Sequence, residues 1–135
     1  MSFTLLGDLG AGKTTLTRSI IRSKCGDSEM RVTSPSYLLD NVYEFGDDYQ
    51  HTIHHMDLYR LQPNSDLSYL RIPEIYSSSL CIIEWPERLK TNDFPKEYLE
   101  LSIHIQGSTQ SRTIVATLAG DRWIKKRVEL ESLLK

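Results

Sequence analysis

Gly7-Asp8-Leu9-Gly10-Ala11-Gly12-Lys13-Thr14 is the stretch that decides how the rest of the chain is read. It fits G-x-x-x-x-G-K-[ST], the spacing of a phosphate loop. The glycines admit backbone turns closed to other residues, so that successive N–H groups converge on one anion. A helix beginning at the motif's end adds its dipole and its unpaired donors to the same point. Lys13 adds a full positive charge for the β- and γ-phosphates, and the Thr14 hydroxyl is a hard oxygen ligand suited to Mg²⁺. Asp8, Leu9, Gly10, Ala11, Gly12, Lys13, Thr14 and the following Thr15 are thus the candidate phosphate-binding residues, with ATP or ADP and Mg²⁺ as the implied ligands.

Working outward, residues 3–6 are apolar and β-prone and run straight into the glycine-rich turn. Residues 13–25 read as a helix with Leu16, Ile20 and Ile21 on one face, stopped at Gly26-Asp27. Residues 31–35 read as a loop, because Pro35 pushes Ser34 away from helical geometry. Residues 37–45 and 51–57 are β-formers on either side of the turn residues Gly46-Asp47-Asp48, a hairpin pattern. Residues 66–77 suggest an interrupted helix, with Pro73 in the first turn of its second piece. Leu80-Cys81-Ile82-Ile83 is a continuous apolar run, as in a strand buried on both faces. Leu99, Leu101, Ile103 and Ile105 alternate with polar residues, as do Ile114, Ala116 and Leu118, so each set predicts a strand with one wet face. Residues 123–134 suggest a terminal helix, basic and then acidic. The sum is an α/β fold: one three-layer domain over residues 1–135 with a mixed sheet.

Composition narrows the classes. At 135 residues the chain fits one core. Hydrophobic and charged fractions of 39% and 25% exclude a disordered or fibrous chain. A net charge of −2 gives no general attraction for nucleic acid, so contact with RNA would be local or made through a partner. The two cysteines, Cys25 and Cys81, form no zinc pattern and suit a reducing compartment, with Cys81 expected to be a buried thiol. No apolar run is long enough for a membrane span. The expected location is cytoplasmic, and an organelle address in a eukaryotic host would lie in residues beyond this chain.

A phosphate loop needs a carboxylate at the end of a neighbouring buried strand, and Glu84, directly after residues 80–83, supplies one. Asp57 ends another extended stretch. On chemistry alone both are eligible as base or as metal partner.

Four segments in order carry a resemblance: Gly7 through Thr15; Val32-Thr33-Ser34-Pro35-Ser36-Tyr37; His55-Met56-Asp57-Leu58-Tyr59-Arg60-Leu61; and Ile82-Ile83-Glu84-Trp85-Pro86-Glu87. Together they resemble the TsaE (YjeE) family, with GDLGAGKTT, a VxSPT[FY] loop, H[FM]DLYRL and IEWPE. The resemblance runs from Gly7 to about Glu87. It implies a P-loop NTPase fold and an ATPase of tRNA threonylcarbamoylation, working with TsaD and TsaB, which modify an adenosine of ANN-decoding tRNAs. The tRNA would be met through those partners. By the same resemblance, Thr14 and Glu84 would be Mg²⁺ ligands and Lys13 would act on the phosphates. Asp57 would orient the attacking water or a metal-bound water, Thr33 and Ser34 would form a switch-like loop near the γ-phosphate, and Arg112 would reach the nucleotide.

Neighbouring residues have plainer uses. His55 shares a strand face with Asp57 and could pair with it, most often a structural role. Trp85 could shape the nucleotide cleft or be buried against the sheet. Arg60 could be an arginine finger in cis, although a salt bridge or partner contact is the commoner use. The family places a strand and helix ahead of the phosphate-loop strand, and the six residues before Gly7 hold no counterpart, which bears on adenine affinity. Where the family has Leu-Gly-Ile, this chain has Leu70-Arg71-Ile72, which implies a changed turn. Two other functions fit a phosphate loop: a small metabolite kinase, which needs an acceptor pocket and a lid, and a non-hydrolysing module whose bound nucleotide only sets a conformation.

Overall fold

Strand β1 (Ser2–Leu6) enters the phosphate loop, and helix α1 (Lys13–Cys25) leaves it. The computed structural model describes residues 1–35, 37–108 and 110–133. Ser36 of the Ser-Pro loop, Thr109 of the turn after residue 105, and Leu134 of the expected terminal helix lie outside the described residues. After α1 come the hairpin β2 (Asp40–Phe45) and β3 (His51–Asp57), helix α2 (Ile72–Ser78), and strands β4 (Leu80–Glu84), β5 (Tyr98–Ile105) and β6 (Arg112–Ala119). Two short helices follow, α3 (Asp121–Ile124) and α4 (Arg127–Leu133).

The six strands form one mixed sheet in the order β2-β3-β4-β1-β5-β6. The four inner strands are parallel, and antiparallel β2 and β6 close the two edges. Alternation along the inner strands splits the core in two, because successive side chains point to opposite faces. Ile82 packs with Leu5, Ile53 and Ile21 of α1 on one face. Cys81 and Ile83 pack with Met56, Leu58 and the α2 residues Ile72 and Ile75 on the other. Helices on both faces make the expected three layers.

Local chemistry accounts for the element ends. Gly26, in the left-handed region, donates its N–H to Ser23 and caps α1 as its sequence position implied. Pro73 sits in the first turn of α2, behind a 3₁₀ turn at Ser68–Leu70. Arg71, between these two pieces, has φ 51° and ψ 48°. Glycine would take up that left-handed backbone without strain, and Arg71 bears its cost.

Leu16, Ile20 and Ile21 pack on one face of α1 as expected, with Lys13 and Thr17 also buried. Two expectations need correction. Ile114 is 50% exposed, and residues 112–117 of β6 are exposed on both faces. β6 lies at the sheet's edge, and its contacts with α3 leave residues 112–117 uncovered. The terminal helix is two pieces, α3 and α4, with Trp123 of α3 buried edge-on against Phe3 at 5.2 Å. Lys125, Lys126, Arg127, Glu129 and Glu131 are exposed, as expected of a solvated face.

Candidate functional site at the carboxyl ends of the parallel strands

In open α/β sheets the crevice beyond the strands' carboxyl ends is where ligands bind. Register brings the candidate groups to that end. Leu5 pairs with Glu84 across β1 and β4, and Glu84 pairs with Asp57 across β4 and β3. Beyond Leu6 the phosphate loop turns back over the sheet. A Cβ on Gly7, at φ 151°, would lie 2.9 Å from the Ile103 carbonyl oxygen and 3.0 Å from the Ala11 Cβ, so only glycine fits between β5 and the loop. Gly12, at φ 109°, turns the chain into α1.

A cleft of about 300 Å³ lies at this end, lined by residues of the phosphate loop and the start of α1, Lys13 and Thr14 among them, together with Asp57, Tyr59, Glu84 and Trp85. A larger cavity of about 560 Å³, lined by Met1, Tyr76, Phe94 and Trp123, lies by the start of β1 at the opposite end. Its lining also includes Lys96, Glu97 and Arg122, so the candidate site is chosen by its place beyond the strands' carboxyl ends, beside the phosphate loop, and not by volume.

Lys13 is buried, and its Nζ donates to the Gly7 carbonyl and to the Asp8 carbonyl at 2.9 Å. The same ammonium lies 4.1 Å from the centre of the Trp85 ring, which packs at a tilt of 46° against Tyr59, 4.9 Å between ring centres. Burial lowers the Lys13 pKa, and the carboxylates of Glu84, Glu87, Asp57 and Asp8 partly oppose that shift. An anion in the cleft would draw this charge outward from carbonyls and ring.

The Glu84 carboxylate is also buried, and it accepts three hydrogen bonds. Thr14 Oγ1 donates to Oε2 at 3.0 Å, while Thr17 Oγ1 and His55 Nε2 reach Oε1 at 3.1 and 2.9 Å. Thr14 Oγ1 and Glu84 Oε2 lie side by side as two hard oxygen donors, the chemistry that Mg²⁺ prefers, so these residues would suit that ion. No three His, Cys, Asp or Glu side chains converge among the described residues. The remaining positions would fall to nucleotide oxygens and water.

Asp57 is held differently. Ser34 Oγ donates to its Oδ2 at 2.7 Å, and the Tyr59 N–H to its Oδ1 at 3.1 Å. The expected pairing of His55 with Asp57 is therefore replaced: the ring bonds Glu84. Ser34, Pro35, Asp57, Tyr59 and Arg60 line a second, adjoining cleft of about 180 Å³, and Arg60 lies 5.2 Å from the ring centre of Tyr37. Thr33 is exposed, and its carbonyl accepts from Asn41 Nδ2 at 3.0 Å. Arg112, at the start of β6, donates from Nε and Nη2 to the Ala11 and Gly10 carbonyls, each at 3.3 Å, and so braces the phosphate loop. Thr17 and His55 are the residues that the sequence reading missed or misplaced. Thr17, one turn beyond Lys13 and three residues beyond Thr14, was open to discovery by helical spacing alone.

A strand, a glycine-rich loop and a helix, with a carboxylate on the adjacent parallel strand, define a P-loop NTPase-type α/β domain. The sequence profile of the family described as "Threonylcarbamoyl adenosine biosynthesis protein TsaE" matches residues 1–114, and the chain belongs to that family. The TsaE protein of Rickettsia felis is 40% identical over 86 residues, 64% of this chain and 48% of that protein. The TsaE protein of Haemophilus influenzae is 40% identical over 85 residues, 62% of this chain and 51% of its own length. The chain thus spans about half the length of these two relatives. The Streptomyces coelicolor TsaE protein is 33% identical over 126 residues, 88% of this chain and 80% of that one. A crystal structure of YdiB from Bacillus subtilis superposes with a TM-score of 0.71 at 27% identity, covering 99% of this chain and 78% of that one. No helix among the described residues is long and apolar enough to cross a membrane.

Proposed function

We propose that this chain binds ATP and ADP with Mg²⁺, hydrolyses ATP, and supports repeated turnover of a TsaD–TsaB-type complex in tRNA threonylcarbamoyladenosine biosynthesis. The observation that carries the reading is Thr14 Oγ1 set 3.0 Å from Glu84 Oε2 in the cleft that also holds Lys13 Nζ. Family membership adds the pathway, since the relatives are named for it.

When bound, Mg²⁺ supplies neutralisation of the negative charge on the β- and γ-phosphate oxygens. Lys13 swings from the loop carbonyls to the phosphates and holds charge there through the transition state. The N–H groups of residues 10–15 orient the phosphate chain. Asp57 orients the attacking water once Ser34 gives up its hydrogen bond, which makes residues 33–34 the segment that responds to the γ-phosphate. The acidic net charge fits contact with tRNA through protein partners.

The test is ATP hydrolysis by the purified chain with and without TsaD–TsaB. The reading expects stimulation by the complex, and loss of turnover with nucleotide binding retained in Asp57→Asn. Hydrolysis that the complex does not stimulate would count against the role in that complex, while nucleotide binding without hydrolysis, or complex activity indifferent to Asp57→Asn, would favour a non-hydrolysing module.

A further inference from the structure

The carboxylate of Glu84 is divided between its two oxygens. Oε2 faces Thr14 and the cleft, while Oε1 accepts from Thr17 Oγ1 at 3.1 Å and from His55 Nε2 at 2.9 Å. Thr17 and His55 are both fully buried, at 0% exposure, and come from different elements, α1 and β3. Because the carboxylate is the acceptor, Nε2 carries the hydrogen. His55 Nδ1 meets no other protein group, so the ring's one polar contact with the protein is the one to Glu84, and an apolar side chain there would take a donor from that buried carboxylate.

We infer that His55 and Thr17 are positioning residues for the metal. They occupy Oε1, fix the carboxylate rotamer, and leave Oε2 as the oxygen presented with Thr14 to Mg²⁺. The donors suit that task. An Arg or Lys in their place would compete with the cation for the carboxylate's charge, whereas a hydroxyl and an imidazole N–H orient the group without a fixed positive charge. Thr17 also ties Glu84 to the helix that carries Thr14 one turn earlier, so both metal-facing oxygens share one frame. Outer partners of metal-binding groups typically alter metal affinity by about 10–100-fold when removed. This inference rests on the Mg²⁺-nucleotide reading of the site.

The experiment titrates Mg²⁺ into the chain with a fluorescent ADP analogue and reads the Mg²⁺ concentration at half effect, beside binding of the same analogue in EDTA. His55→Leu and Thr17→Val remove the donors. His55→Gln and Thr17→Ser keep a donor at the same place, and circular dichroism confirms that each variant is folded. Thr17→Val is close to isosteric and keeps the test open should His55→Leu fail to fold. The expected result is a half-effect Mg²⁺ concentration raised about ten-fold or more in Leu and Val, and within about three-fold of the unsubstituted chain in Gln and Ser. Metal-free binding should change by less than about two-fold in all four. An unchanged Mg²⁺ response in folded Leu and Val variants would overturn the inference alone, as would Gln and Ser variants as impaired as those two. ADP binding that ignores Mg²⁺ in the unsubstituted chain would overturn the metal reading, and this inference with it.

Discussion

Arg71 shows how much a single backbone angle settles. With φ 51° it occupies a left-handed position between the 3₁₀ turn and α2, and its exposed ion pair with Glu74 at 3.3 Å offsets little of that strain. Arg71→Gly should raise stability by about 0.5–1 kcal/mol, the relief of strain exceeding the added freedom of the unfolded chain. A rise in the urea midpoint at constant slope checks it. Gly7→Ala should do the reverse. It places a Cβ 2.9 Å from the Ile103 carbonyl at a left-handed φ, so a loss of about 1–3 kcal/mol is expected in the same measurement. The candidate site residues were unevenly legible at this scale. Lys13, Thr14 and Glu84 follow from spacing and strand context. His55 was placed on the correct strand face and then given the wrong partner, because register across β3 and β4 decides whether Glu84 or Asp57 lies within reach. No single-chain pattern carries that register.

Among elements, α1 and β6 mark where hydrophobic periodicity works and where it does not. α1 begins and ends where the sequence places it, at Lys13 and Cys25, because a glycine in a left-handed conformation flanks each end. Leu16, Ile20 and Ile21 share its packed face, and Lys13 and Thr17 are buried as well through hydrogen bonds at the site rather than by apolar transfer. An apolar count scores both as surface. β6 alternates correctly as a strand, yet edge position leaves Ile114 and Val115 each 50% exposed. Alternation reports strand conformation, while burial depends on which elements cover the sheet, a tertiary fact. β4 conforms from its second residue on: Leu80 is half-buried, and Cys81, Ile82 and Ile83 are wholly buried, as a doubly covered inner strand requires. Ile83→Ala should therefore cost about 2–5 kcal/mol in the urea midpoint, against under about 0.5 kcal/mol for a polar substitution at exposed Val128.

At the scale of the molecule, burial couples stability to pH. Desolvation raises the Cys81 thiol from 9.0 to about 12. The folded pKa lies above the unfolded one, so this contribution is intact below pH 9 and is lost as pH rises toward 12. At pH 10 the loss should be about 1.4 kcal/mol relative to pH 8, and Cys81→Ala, although less stable throughout, should lack that component of the slope. Equal slopes in both proteins would contradict the assignment. The sheet's parallel centre also sets the functional geometry: four parallel strands bring the phosphate loop, Asp57 and Glu84 to one end, where a small net charge of −2 leaves recognition to local groups. Everything proposed for the chain depends on that end binding a nucleotide through Lys13. The most direct measurement is calorimetric titration of the purified chain with ADP and Mg²⁺, beside a folded Lys13→Ala variant. Saturable one-site binding, weakened at least about 100-fold by the substitution, is the predicted result. Equal binding by both proteins, or none by the unsubstituted chain, would contradict it.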